Sequence, residues 1–173
     1  MPNVVKAWNI ESSSEFILNE PVGQVYCMVV ANEMLFAGAQ DGGIFVWKGS
    51  PGAENPFHYV GSLRGHSHTV TCLTVGSNML YSGSMDNTIR VWGLDTLQSV
   101  MTLDDHTDAP MSLLCWDQFL LSCSLDKAIK FWGVAGGNLE VMYTHNEEHG
   151  LLALCGLNDF GQPVLLYACS LRG

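Results

Sequence analysis

Short apolar runs separated by turn residues recur along the whole chain, and none of them has the period of an amphipathic helix. In the middle of the chain VTCLTV, MLYSGS, TIRVW and SVMTL follow one another with Gly, Asn and Asp between them. Apolar residues alternate or run continuously, as in strands of sheets that are covered on both faces. The pattern predicts four short strands. The segments SLLCW, FLLSCS, AIKFW and EVMYT then repeat it.

The repeats share one stretch that aligns on a tryptophan. Its three copies are AGAQDGGIFVW (37–47), SGSMDNTIRVW (82–92) and SCSLDKAIKFW (122–132). Each has an aspartate six positions before the tryptophan, and the tryptophans are 45 and 40 residues apart. Four strands in a repeat of this length form one blade of a β-propeller.

The same pattern continues incompletely at both ends. VVKAWNI (4–10) and EFILNE (15–20) correspond to the last two strands of an earlier repeat, while LLALCG and VLLYACS correspond to the first two of a later one. We therefore predict an all-β fold of sixteen strands, with three full four-stranded blades and two half-blades. The predicted units are a half-blade at 1–20, blades at about 21–64, 65–104 and 105–145, and a half-blade at 146–173.

Two of the connections between predicted strands have informative sequences. Asp41-Gly42 lies between apolar runs, which favours a hairpin with a type I′ turn, where both central residues have positive φ. The stretch GSPGAENP is the longest cluster of turn residues in the chain. It is either a tolerated surface insertion or a functional loop.

Charge and composition narrow the function classes. The chain has 17 Asp and Glu against 7 Lys and Arg, a formal net charge of -10, and no basic cluster. A polyanion would be repelled, so we expect no direct nucleic-acid binding; the acidity can also serve solubility alone. No apolar run follows a basic amino-terminal head, and none reaches membrane-spanning length. We expect an intracellular protein, nuclear or cytoplasmic and not secreted, with no membrane partner.

The six cysteines are best explained as buried thiols. Cys27 and Cys72 occupy one slot of two repeats (VYCM, VTCL), and Cys123 and Cys169 are assigned to another (LSCS, YACS). Cysteines inside apolar strands act as small hydrophobes, and the chain has no Cys-x-x-Cys pair. We expect no disulfide, no metal and no cofactor in this chain.

These repeats resemble WD repeats. In that family a histidine, a serine, the turn aspartate and the strand tryptophan form a hydrogen-bonded tetrad, which implies two structural sets here: His66, Ser82, Asp86, Trp92; and His106, Ser122, Asp126, Trp132. The first full repeat departs from the pattern, with Ala37 in the serine slot and Pro21 at the histidine's offset. The dipeptide that names the family is also absent, because Lys48, Gly93 and Gly133 follow the tryptophans.

Ser, His and Asp together suggest a hydrolase triad, but the set recurs in each repeat and its serine lacks a Gly-x-Ser-x-Gly elbow. We expect no enzymatic activity. The resemblance instead implies a protein-binding face with three contact positions per blade. Carried over, the candidate partner-binding residues are Gln24, Tyr26, Gln40, Thr69, Thr71, Met85, Ala109, Met111 and Leu125. The apolar members either form an exposed interaction patch or lie partly under loops.

More narrowly, the phrases VVKAWNIESS, YTHNEEHG and LLALCGLND resemble plant proteins that join a CCCH zinc finger to a WD-repeat propeller, over the chain up to Ser170. The Cys-Cys-Cys-His spacing of such a finger occurs nowhere in this chain. Zinc is therefore expected only in a parent's finger, and the chain is expected to be a piece of that parent or a truncated product. The resemblance implies a scaffold for protein partners of unknown identity. The alternative function is that the chain is part of a nucleic-acid-binding CCCH zinc finger protein, whose binding module is absent from this chain.

The two half-blades could pair and close a ring of four blades. Against this, the resemblance implies blades shaped for a ring of about seven, whose neighbours meet at a shallower angle, and close-packed blade faces tolerate little reshaping. We therefore predict an open arc, with Trp8 and Leu165 far apart and both ends poorly packed.

Overall fold

The computed structural model describes residues 4–18, 23–50, 56–159 and 162–170, with side chains described outside 157–159 and 162–163. Pro21, the end of the predicted strand 15–20 and most of the loop between Gly49 and Pro56 lie outside the described residues. Sixteen strands lie within the described ranges, which contain no helix. The all-β prediction is confirmed. It follows that these ranges hold no helix long and apolar enough to span a membrane.

The strands form five antiparallel sheets in chain order. The first half-blade contains β1 (Val5–Trp8) and β2 (Glu15–Leu18). Blade 1 contains β3 (Val25–Ala31), β4 (Met34–Ala39), β5 (Ile44–Gly49) and β6 (Phe57–Leu63). Blade 2 contains β7 (Val70–Gly76), β8 (Met79–Ser84), β9 (Ile89–Gly93) and β10 (Ser99–Leu103). Blade 3 contains β11 (Pro110–Trp116), β12 (Phe119–Ser124), β13 (Ala128–Ala135) and β14 (Asn138–Asn146). The second half-blade contains β15 (Leu151–Asp159) and β16 (Gln162–Cys169).

The arrangement is open. β1 and β2 form one two-stranded sheet and β15 and β16 another, so within the described residues β16 does not pair with β1. The sheet of each complete blade runs in sequence order, for example β3-β4-β5-β6. The first strand of each blade contacts the first strand of the next, from β3 through β7 and β11 to β15. These four strands therefore line the inner side of the arc.

The hydrophobic core lies between neighbouring blades. Phe36 and Ile44 of blade 1 share one cluster with Val70 and Leu80 of blade 2. Blade 2 packs in the same way against blade 3. Burial on both faces explains why β5 carries the continuous apolar run IFVW and why β8 is buried at five consecutive positions instead of alternate ones.

The ends are better packed than we predicted on the side that faces the arc. Val5 and Leu18 are buried in one cluster with Trp47, and Leu151 is buried against Cys123. The prediction of poor packing holds only on the outer side, where the indole of Trp8 is exposed. In the complete blades the third-strand tryptophans are buried in clusters with the preceding blade or half-blade, and no blade precedes β1 among the described residues.

Two local predictions were wrong. Asp41 does not have a positive φ, whereas Gly42 does, at 80°. Gly42 N donates to Ala39 O, so the hairpin is a type I turn followed by a left-handed residue, and Asn87 and Lys127 repeat that conformation. Asp41 does not adopt the left-handed conformation, because its Oδ1 accepts the backbone N–H of Gly43, two residues on. The distance from Gly43 N to Asp41 Oδ1 is 3.0 Å.

The cysteine slots also need one correction. Cys169 pairs with Leu151 where Ser124 pairs with Pro110, so Cys169 corresponds to Ser124 and not to Cys123. All six cysteines, each within the described residues, are free thiols in the structure.

Candidate functional site

Each of the two tetrads forms a connected hydrogen-bond network. In blade 2 the Ser82 hydroxyl accepts the Trp92 Nε1–H at 2.8 Å and lies 2.8 Å from His66 Nε2. His66 Nδ1 lies 2.8 Å from Asp86 Oδ2. His106, Ser122, Asp126 and Trp132 repeat these contacts in blade 3, at 2.7–2.8 Å. Each network joins the loop before the first strand to the second and third strands.

The pKa shifts in blade 2 fit a neutral histidine beside an ionised aspartate. Burial lowers the pKa of His66 below 6.5, although the Asp86 carboxylate opposes that shift. Burial would raise the pKa of Asp86, but the hydrogen bonds from Thr88 and His66 lower it to about 2. With a neutral ring, Nδ1–H donates to Asp86 and Nε2 accepts the Ser82 hydroxyl. The imidazole nitrogens, the Ser82 hydroxyl and the Trp92 indole N–H of this network then each have a partner.

This arrangement is structural and not a catalytic triad. Ser82 and Ser122 are completely buried, and each hydroxyl lies between an indole and an imidazole. A substrate cannot reach either oxygen without unfolding the blade. Within the described residues, no three His, Cys, Asp or Glu side chains lie where they could hold a metal ion.

Blade 1 shows what happens when the tetrad is incomplete. The Trp47 indole is buried, and its Nε1–H has no hydrogen-bond partner among the described residues, because Ala37 replaces the serine. Asp41 is paired with Arg64, whose Nη1 lies 2.6 Å from Oδ2. The sequence pattern did not indicate Arg64, since a cation from the end of β6 has no counterpart in the repeat.

In the second half-blade, the positions of the tetrad histidine and serine are occupied by other polar residues. Glu147 occupies the position of His66, Tyr167 occupies that of Ser82, and the tyrosine hydroxyl donates to the glutamate. His145 Nε2 adds a contact of 2.7 Å to the same carboxylate oxygen. The hydrogen bond from Tyr167 lowers the pKa of Glu147. The link between the loop and the second strand therefore persists without a histidine or a serine.

A β-bulge at one position of each first strand marks the end of the blades where the candidate partner-binding residues lie. The register shifts at Tyr26, Thr71, Met111 and Leu152. A bulge turns the extra side chain away from the ladder. We call this end of the blades, where the first strands begin, the bulge face. Leu152 was missed by the sequence reasoning, since the half-blade lacks the aspartate and tryptophan on which the repeats were aligned.

The nine candidate positions correspond to one another across the three blades. Gln40 N donates to Gln24 O, Met85 N to Thr69 O and Leu125 N to Ala109 O, at 2.8, 2.9 and 3.1 Å. Ser170 N donates to Gly150 O in the same way at 2.7 Å. The second half-blade therefore continues the bulge face.

Exposure differs strongly among these positions. Tyr26 and Met85 are 52% and 53% exposed, and the additional Leu152 is 42% exposed. Gln24 and Gln40 are exposed as well. Met111 and Leu125 are half-buried, and Leu125 packs closely against Gly150 of the next half-blade. Part of the apolar set thus lies on the surface, and part lies under a neighbouring loop.

Two of the candidates make structural hydrogen bonds, and a third is buried. The Thr69 hydroxyl donates to Gln40 O of blade 1 at 3.1 Å, and the Thr71 hydroxyl donates to Pro110 O of blade 3. Ala109 is only 4% exposed, so its side chain cannot contact a partner. The Ser124 hydroxyl donates to Asp108 O and holds the loop before β11 against β12, which covers the small methyl group.

The fold and the networks are similar to those of WD-repeat β-propeller blades. Residues 57–93 and 97–133 match the family model described as "WD domain, G-beta repeat". Among solved structures, the RRP9 WD40 repeats superpose with a TM-score of 0.62 at 27% identity, covering 75% of this chain and 41% of that one. The computationally designed Ika8 protein superposes with a TM-score of 0.75 at 25% identity, covering 94% and 52%.

Curated relatives are plant zinc finger proteins. Zinc finger CCCH domain-containing protein 48 of Arabidopsis thaliana is 56% identical over 98% of this chain, and protein 17 of the same designation from Oryza sativa subsp. japonica is 56% identical over 99%. The chain spans 40% and 39% of their lengths. The resemblance inferred from the sequence is confirmed.

Proposed function

We propose that the chain is a non-enzymatic scaffold that binds a protein partner through its bulge face. The observation that carries the proposal is the alignment of the four bulged positions at the same end of neighbouring first strands. A protein partner could contact several blades at once, as a specific interface requires.

The chemistry of the bulge face supports a protein as the ligand. Tyr26, Met85 and Leu152 are large apolar side chains that remain well exposed. Tyrosine and methionine are enriched in protein interfaces, and contiguous apolar surface marks interaction sites. Gln24 and Gln40 add exposed amides that can hydrogen-bond a partner backbone.

A paired-variant capture experiment tests this function. The double variant Tyr26→Ser, Met85→Ser truncates the bulge face, while Val60→Ser, Tyr143→Ser truncates exposed side chains on the outer strands of blades 1 and 3. We expect wild type and the outer-strand variant to retain the same proteins from a plant extract, and the bulge-face variant to lose them. Equal retention by all three folded proteins would contradict the proposal.

A second candidate function rests on the names of the relatives, which are CCCH zinc finger proteins. In this reading the chain is the propeller region of a nucleic-acid-binding protein, with zinc and nucleic-acid binding supplied elsewhere in that protein. The chain's own net charge of -10 disfavours direct contact with phosphates. Retention of RNA by this chain alone, falling steeply with added salt, would favour direct binding over the scaffold function.

A further inference from the structure

A groove lies between blades 2 and 3 at the end opposite to the bulge face. The turns β7–β8, β11–β12 and β13–β14 meet there, a full strand length from the bulged residues. It encloses a cavity of about 220 Å³. Its lining includes the apolar side chains Val91, Val100, Met101, Phe119, Val134 and Leu139.

A second cavity of about 250 Å³ adjoins the first and shares Gln118, Phe119 and Val134 with it. Phe119 and Val134 therefore form a ridge between the two cavities, and Met142 lines the second cavity. Val134 is 73% exposed, although its side chain is apolar. We call the two cavities and this ridge the turn-side groove.

Gly133 shapes the second cavity. A Cβ at this position would lie 2.8 Å from Met142 Cγ and 3.4 Å from Phe119 Cε1. Any side chain here would therefore displace Met142 or press on the ridge. Gly133 follows Trp132, where the family's Trp-Asp dipeptide has its aspartate. Because it lacks a side chain, Met142 and Phe119 keep their positions.

The dimensions of the turn-side groove favour peptide side chains over a small molecule. Each cavity is smaller than the roughly 300–1,000 Å³ typical of ligand pockets. Two small apolar cavities on either side of a ridge suit two anchor side chains of one extended peptide, the usual arrangement for pocket-based peptide recognition.

The charges around the groove select a basic peptide. Asp117 is the single charged side chain that lines the first cavity, and Glu140 is exposed and pairs with Gly133 beside the second. Neither cavity is lined by a lysine or arginine among the described residues. The net charge of -10 adds a long-range attraction for cations.

We propose that the turn-side groove binds an extended peptide segment of a partner protein, with one apolar side chain in each cavity and lysine or arginine beside them. This surface is distinct from the bulge face. It gives the chain a second site, which can be occupied together with the first.

The methionines make the proposal directly testable by NMR. Met79, Met101 and Met142 line the turn-side groove, while Met85 and Met111 lie at the bulge face. The probes are eight-residue peptides with two leucines separated by one to four residues and a lysine at each end, titrated into chain labelled with ¹³C at the methionine methyl groups. We expect at least one spacing to shift Met101 and Met142 and leave Met85 and Met111 unchanged. Shifts confined to Met85 and Met111, or no shift for any spacing, would overturn the proposal and leave the bulge-face function unaffected.

Matched variants test the anchors and the charge. Val134→Asp places a charge on the exposed ridge and should weaken binding at least about tenfold, while Val60→Asp, on an exposed valine of β6, should not. Replacing both lysines of the peptide by glutamate should weaken binding to wild type, and Asp117→Lys should reduce that preference. Equal affinity for the lysine and glutamate peptides would contradict a basic peptide as the partner. An equal loss of affinity in Val134→Asp and Val60→Asp would contradict binding at the ridge.

Discussion

The Ser82 hydroxyl lies 2.8 Å from Nε1 of Trp92, whereas the corresponding indole of blade 1, that of Trp47, has no acceptor among the described residues. The difference follows from one residue, since Ala37 replaces the serine. A buried donor without a partner costs about 1–3 kcal/mol. Blade 1 therefore carries a local defect that a single substitution can repair.

We predict that Ala37→Ser stabilises the protein by about 0.5–1.5 kcal/mol. The serine oxygen would accept the Trp47 indole N–H, as Ser82 does for Trp92. Urea-induced unfolding followed by fluorescence measures the change. Trp47→Phe removes the donor, so a double-mutant cycle isolates the bond. An equal effect of Ala37→Ser in both backgrounds would show that the indole is not involved.

The aspartates at the same turn should differ in importance. Asp86→Ala would leave the buried His66 ring without its acceptor and cost about 1–3 kcal/mol. Asp41→Ala removes a partly exposed pair with Arg64, which is worth about 0–1 kcal/mol. The free energy of unfolding of the two variants gives the comparison. Losses of the same size would mean that the tetrad adds nothing beyond the turn itself.

The buried histidines predict a loss of stability in acid. His66 and His106 have lowered pKa values in the folded protein, so the unfolded chain binds protons more readily as the pH falls below 6.5. Folded-state stability is therefore complete above that pH and decreases below it. Protonation of Asp86, whose folded pKa is about 2, removes more stability as the pH falls from 3.8.

The urea midpoint, measured between pH 7.5 and 5.0, tests the histidine part. We expect it to fall with pH in wild type, and the fall to be smaller in His66→Gln. A midpoint that is flat or rises on acidification would contradict neutral, buried histidines.

The thiols should react in an order set by burial. Burial raises the pKa of Cys27, Cys72 and Cys123 to about 12, whereas Cys155 is exposed. Because the thiolate is the reactive form, we predict that Cys155 is alkylated first in the native protein. All six should be alkylated in denaturant without reductant. Fewer than six labelled sites by mass spectrometry would indicate a disulfide or a modified thiol.

The spacing of aspartate and tryptophan was sufficient to predict the blades, and the resemblance to WD repeats implied the members of both complete tetrads. The strand pattern alone allowed a closed ring of four blades, and the open arrangement was predicted from the blade shape that the resemblance implied. What could not be predicted depends on contacts that do not repeat. Arg64 reaches Asp41 from another strand, and Glu147 and Tyr167 replace a histidine and a serine by a different chemistry.

The bulge face was only partly predictable, because exposure depends on the neighbouring blade. Leu125 and Met85 occupy corresponding positions in the repeats, yet Leu125 is half-buried and Met85 is exposed. Cys169 was assigned to the position of Cys123 because YACS resembles LSCS, whereas the strand register shifts the correspondence by one residue. Leu152 becomes recognisable only once the bulge at Leu151–Ala153 is seen.

Site-specific photo-cross-linking tests the central claim, a protein partner on the bulge face, most directly. A benzophenone amino acid would replace Tyr26 in one chain and Tyr143, an equally exposed tyrosine on the outer strand β14, in another. After irradiation in plant extract, the account predicts a discrete covalent adduct of this chain with a partner from the Tyr26 position and none from the Tyr143 position. Adducts from Tyr143 with none from Tyr26 would contradict it.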